Sequence, residues 1–160
     1  QRVFPRSRFL LALRHPCDAV LSAYMRSFEL NEAMVNFLDL EDAAGLYAAV
    51  MTLWRRYREV LPLPVYTVRY EELVAAVQPT LTPLLEFLGL EWHSALAAHA
   101  ETARARGDIQ TPSYHQVVEP VYTRASGRWQ RYRDALAPVL PVLEPWLQEW
   151  GYPPATRPGD

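Results

Sequence analysis

The sequence predicts an α/β fold, on three observations. Phe9 to Leu13 (FLLAL) is uninterrupted apolar chain after Arg8, and its shortness favours a strand over a buried helix. Val65 to Val68 (VYTV) is β-branched and aromatic, hence a second strand. Helical spacing fills the stretch between them, the order of a parallel pair joined by a right-handed crossover.

Each element has a local cause. The first strand, Arg8 to Leu13, is expected to be buried on both faces. Pro16 sits where a helix starts, with Asp18 in its first turn. Val20, Leu21, Tyr24 and Phe28 at helical spacing carry that helix to about Ser27. Asp39 can cap a longer helix to about Val60, with Leu46, Val50, Leu53, Trp54 and Tyr57 as its buried stripe. Pro62 and Pro64 stop it ahead of the second strand. Tyr70 to Val77 and Thr80 to Leu88 read as short helices, the second closed by Gly89. Glu91 to Arg104 should be helical, Gly107 to Thr123 a long lid-like loop, and Ser126 to Ala135 and Pro138 to Trp150 the closing helices. No repeat or linker interrupts residues 1–152, and 153–160 is a Pro-rich tail. Two strands cannot make a sheet covered on both faces, so further strands are expected before Gln1 or in a partner chain.

Composition excludes several classes. Of 160 residues half are hydrophobic, enough for a packed core and against general disorder. The net charge of −2 argues against a general nucleic-acid binder. No apolar run approaches the roughly 20 residues that cross a bilayer, and no signal peptide is visible, so no membrane partner is expected. The single cysteine, Cys17, has no internal disulfide partner and suits a reducing cytoplasm. All sixteen basic residues are arginine. Without lysine the chain holds no P-loop lysine, Schiff-base lysine or lysine general base.

In open parallel sheets ligands bind off the carboxyl ends of strands, near helix N-termini. Arg14 stands there, Ser22 follows eight residues later, and Arg26 is its i+4 neighbour. Two guanidiniums and a hydroxyl suit phosphate oxygens, with charge-assisted bonds worth roughly 1.5–3 kcal/mol each. Spacing alone leaves a second reading open, in which Arg14 caps the crossover and Arg26 is a solvated surface residue.

The stretch FLLALRHPCDAVLSAYMRSF resembles the 3′-phosphate-binding segment of sulfotransferases that use 3′-phosphoadenosine 5′-phosphosulfate (PAPS). That segment pairs an arginine ending a strand with a serine on a helix, here Arg14 and Ser22. Arg26 is similar to a second nucleotide-contacting arginine of the tyrosylprotein sulfotransferase branch and its bacterial, TPR-linked relatives. VRYEELV places Tyr70 where that branch has a nucleotide-contacting tyrosine. SYHQVVEPVY followed by RASGRW resembles the family's late cofactor loop, bringing in Ser113, Gln116, Tyr122 and Arg128. The likeness runs in order from Phe9 to about Tyr152.

The resemblance implies a P-loop-like fold and transfer of a sulfuryl group from PAPS to a hydroxyl of a peptide or small molecule, leaving adenosine 3′,5′-bisphosphate, with no metal. Arg14, Ser22 and Arg26 would hold the 3′-phosphate, Tyr70, Gln116, Tyr122 and Arg128 would help hold the nucleotide, and Ser113 would stabilise the transferring group. The phosphosulfate loop, the catalytic base and any TPR array would precede Gln1, leaving this chain inactive alone. Arg128 departs from the branch's lysine, keeping the charge but changing the contact.

Other residues have plainer readings. Glu71 and Glu72 serve a helix dipole, and His93 and His99, six apart, suit no helical metal pair. His15 and His115 are loop histidines, solvated or catalytic. Cys17 is a small buried residue, unless the helix N-terminus lowers its pKa. The five tryptophans with Tyr24 and Tyr57 are core and covering aromatics. Two other functions stay open: a P-loop kinase, which lacks its Walker lysine here, and a helical interaction module, which predicts an apolar groove and no anion site.

Overall fold

The computed structural model describes residues 4–96 and 123–155. Its contacts divide the chain into two compact units, Gln1–Leu13 with Leu63–Arg124, and Arg14–Pro62 with Ala125–Asp160.

In the first unit, strands β1 (Phe9–Leu13) and β2 (Val65–Arg69) pair in parallel, in register from Phe9 opposite Val65 to Leu13 opposite Arg69. The strand β1 is not buried on both faces as predicted. Leu13 is buried while Leu10 is 48% exposed, the alternation of a sheet covered on one side. Helix α3 (Tyr70–Ala75) follows β2 directly, with Glu71 and Glu72 in its first turn. Helix α4 (Val77–Leu88) starts three residues earlier than Thr80 and ends at Gly89 as the sequence predicts. Its Phe87 ring meets Tyr66 of β2 at 5.5 Å, and the Arg8 guanidinium covers Phe87 at 5.8 Å. Residues 91–93 are not helical and a 3-10 turn stands at Ser94–Leu96, where the His93 ring Nδ1 accepts the Ala95 N–H. The rest of the helix expected to Arg104, and all but the last residue of the loop expected over Gly107 to Thr123, lie outside the described residues.

The second unit packs α1 (Pro16–Tyr24) and α2 (Leu40–Val60) against the closing segment. Pro16 fits the first turn of α1, where its missing N–H costs nothing. Asp39 caps α2 by accepting the Glu41 and Asp42 N–H groups at 2.7 and 3.3 Å. The side chains that α2 buries are Ala43 and Ala44, small enough for α1 to approach closely. The predicted stripe is instead largely outside: Val50, Leu53 and Tyr57 are 51%, 50% and 45% exposed.

The closing segment runs through a 3-10 turn (Arg128–Tyr132), α5 (Arg133–Leu136), a second 3-10 turn (Ala137–Val139) and α6 (Leu140–Glu149). Leu136, Leu143 and Leu147 are fully buried and form the core with Cys17, Val20 and Leu21. Gly151, at φ 69°, ends α6: its N–H reaches the Gln148 carbonyl and the Tyr152 N–H the Leu147 carbonyl. That reversal sends Tyr152 and the fully buried Ala155 back onto the unit's core.

Candidate functional site

The site grows from the residues that lead into α1, Arg14 and His15, inside the second unit. Arg14 follows the last residue of β1, and its Nη2 donates to the Ala125 carbonyl at 2.7 Å. Asp18, 1% exposed in the first turn of α1, accepts the Gly127 N–H through Oδ2 and the Trp129 N–H through Oδ1, both at 2.7 Å. Gly127 is at φ 69°, a backbone conformation that side chains resist. That turn lets alternate amides of one short segment face the same carboxylate. A buried carboxylate is tolerable only when hydrogen-bonded, and two amides supply that here.

Rings complete the junction. His15 stacks on Trp129 at 4.9 Å with 17° between the planes, and Tyr152 meets His15 edge-on at 4.9 Å. The Arg133 guanidinium covers Trp129 at 5.2 Å. The expectation of a solvated His15 therefore gives way to a histidine 8% exposed between two aromatic rings. Sequence reading also missed the scale of Asp18, assigned only to the helix dipole. The nearest signal was the pairing of HPCD with SGRW, two short motifs more than a hundred residues apart.

Other predicted residues fall in different surroundings. Ser22 is half-buried on α1. Arg26 is not its neighbour on a helix face, because α1 stops at Tyr24, short of Ser27. The Arg26 N–H turns to the Ala23 carbonyl at 3.0 Å, and its side chain lines a cleft of about 420 Å³ with Tyr24, Phe28, Met34, Phe37 and Leu38. Phe28 and Phe37 touch there at 5.3 Å. Arg128 opens the 3-10 turn, with its guanidinium 5.8 Å from the Tyr132 ring. Tyr70 begins α3 in the first unit, half-buried at the carboxyl end of β2. Ser113, Gln116, Tyr122, His99 and His115 lie outside the described residues.

Burial dominates the two shifted titrations. It pushes the Cys17 thiol up to about 12, with the adjacent Asp18 charge adding to it, so a low-pKa nucleophile at this helix start is overturned. Burial likewise pushes the Tyr47 hydroxyl above its ordinary range. Tyr24 and Tyr57 are exposed, whereas Trp129 and Trp146 are core residues at 4% and 6% exposure. Among the described residues no group of three His, Cys, Asp or Glu side chains could hold a metal, and no helix is long and apolar enough to cross a membrane.

A model of the sulfotransferase family matches residues 1–94, which include β1, α1 and β2. The chain belongs to the sulfotransferase family. In this sulfotransferase-family chain, Arg14, Ser22, Arg26 and Tyr70 all fall inside the matched stretch, and Arg128 beyond it. The chain is also 27% identical to Protein-tyrosine sulfotransferase 2 of Gallus gallus, over 98% of this chain and 43% of that protein. It is 24% identical to an uncharacterised protein of Aquifex aeolicus, over 89% of this chain and 18% of that protein. The sulfotransferase-family chain thus spans less than half the length of either relative.

Proposed function

We propose that this chain supplies the nucleotide-binding part of a PAPS-dependent sulfotransferase of P-loop-like fold, acting on a hydroxyl acceptor in the cytoplasm. The observation that carries the reading is the junction itself. Arg14 directly follows a parallel strand, and the helix that comes next carries Ser22, within the segment matched by the family model.

The donor set fits a phosphate: a guanidinium from Arg14, a hydroxyl from Ser22, and cations at Arg26 and Arg128. The buried carboxylate of this junction, Asp18, already accepts two amides, so its charge is compensated locally. The co-substrate supplies an activated sulfuryl group and leaves as adenosine 3′,5′-bisphosphate. The chain's own contribution is binding and orientation: Arg14, Ser22 and Arg26 hold the 3′-phosphate, while Arg128 and Tyr70 steady the nucleotide. Ser113, Gln116 and Tyr122 are assigned to the same loop by resemblance. The likeness to Protein-tyrosine sulfotransferase 2 supports a protein tyrosine as the acceptor.

Calorimetric titration tests this. Adenosine 3′,5′-bisphosphate should bind about 30- to 1,000-fold more tightly than adenosine 5′-monophosphate, the worth of one charged and one weaker hydrogen bond. Mg²⁺ should not change the ratio. Equal affinities would overturn the proposal, and a requirement for Mg²⁺ would favour a kinase.

A further inference from the structure

We infer that Asp18 is a positioning residue, whose buried carboxylate fixes the segment at 125–129 that orients Arg14 and so sets recognition of the 3′-phosphate. The inference rests on the nucleotide-binding reading above and adds a residue that touches no nucleotide.

The geometry is specific. Arg128 lies between the two residues whose amides Asp18 accepts, Gly127 and Trp129, at 2.7 Å each. Its backbone is held from both sides by one carboxylate. Three positions upstream, the Ala125 carbonyl accepts from Arg14 Nη2 at 2.7 Å. One position downstream, Trp129 stacks on His15. Three residues of the junction, at 14, 15 and 18, therefore grip three residues of the segment, at 125, 127 and 129.

The consequence is a coupling between Asp18 and Arg14 through a segment far along the sequence. Arg14 Nη2 holds the segment through the Ala125 carbonyl, and a planar guanidinium so oriented matches the geometry of phosphate oxygens. If the segment lifts, Arg14 loses the carbonyl that orients it. An aspartate suits this role because it offers two acceptor oxygens and no donor. The isosteric Asn presents an NH₂ to one of the two amides and cannot satisfy both.

The test combines a binding readout with a structural one. Calorimetry compares adenosine 3′,5′-bisphosphate and adenosine 5′-monophosphate on the wild type, Asp18→Asn and Gly127→Ala. Amide hydrogen exchange follows Gly127 and Trp129 in the same proteins without nucleotide. Gly127→Ala keeps every buried group, since an added Cβ meets only Gln130 atoms at 3.8 and 3.9 Å, yet strains the turn at φ 69°. Both variants should lose protection at the two amides. Both should also lose about ten-fold of the preference for the bisphosphate, the worth of one charged contact, with monophosphate binding unchanged.

A purely structural role would weaken both nucleotides alike or neither, and that result would overturn the inference. So would a preference kept in both variants after amide protection is lost. A wild type with protected amides and no bisphosphate preference would instead sink the nucleotide reading, and with it Asp18's effect on recognition.

Discussion

The two ends of α1 are built differently. At its N-terminal end Pro16, Cys17 and Asp18 are buried, and the residues just before it are held by a carbonyl and by two rings. At its C-terminal end Tyr24 and Met25 are 43% and 44% exposed, and the chain opens into the cleft that Arg26 lines. The two arginines assigned to one phosphate thus start from unequal positions. Arg14 is oriented by contacts already made in the protein, whereas Arg26 leaves the helix in a turn at the rim of an open cleft. A donor on a segment packed into the core keeps its geometry better than one at an exposed helix end, and preorganised donors contribute more to binding.

The contrast can first be broken through packing. Leu143→Ala removes a fully buried side chain beneath the closed end and should cost about 2–5 kcal/mol. Urea unfolding measures it, and a cost under 1 kcal/mol would show that this core does not hold the junction.

Cys17 gives a second, pH-dependent handle. Its thiol ionises near 12 in the folded chain against an ordinary 9.0. The folded state therefore binds the proton more tightly. The stabilisation is present in full below pH 9 and is lost as pH rises toward 12, by on the order of 1 kcal/mol per pH unit. Wild type and Cys17→Ala should diverge between pH 8 and pH 10 in chemical unfolding, the wild type losing more. Parallel loss in both would mean that the thiol is not held neutral.

Asp39→Ala, at the start of α2, should cost about 1 kcal/mol by removing the cap on two amides. The open end should be the most tolerant region. Leu38, 63% exposed on the cleft rim, should accept Ser within about 0.5 kcal/mol. A larger loss would mean that the cleft is braced in a way its exposure conceals.

The same division governs what could be read from the sequence. The strands, their parallel pairing, Pro16 at the start of α1, the Asp39 cap and Gly89 at the end of α4 follow from local chemistry, and the structure has each of them. What depends on distant partners was not legible. The 3-4 spacing of Val50, Leu53 and Tyr57 announces a buried stripe, but the close contact is made by Ala43 and Ala44, whose small size carries no periodic signal. The helical ends of the closing segment differ from the sequence reading because Gly127 precedes one 3-10 turn and Pro138 sits within the other. Asp18 looked like any acidic residue in a first turn. Its real partners lie 109 and 111 residues away, beyond the reach of any local pattern.

In the proposed function the closed end of α1, through Arg14, recognises the 3′-phosphate. Titration of adenosine 3′,5′-bisphosphate and adenosine 5′-monophosphate into Arg14→Ala and Arg26→Ala tests it directly. Arg14→Ala should bring the two affinities close to equal while leaving the monophosphate nearly unchanged. Arg26→Ala should lower the bisphosphate affinity by a smaller factor, roughly three- to ten-fold for a contact of about 1 kcal/mol. A bisphosphate preference that survives Arg14→Ala, or a larger loss at Arg26, would contradict the account.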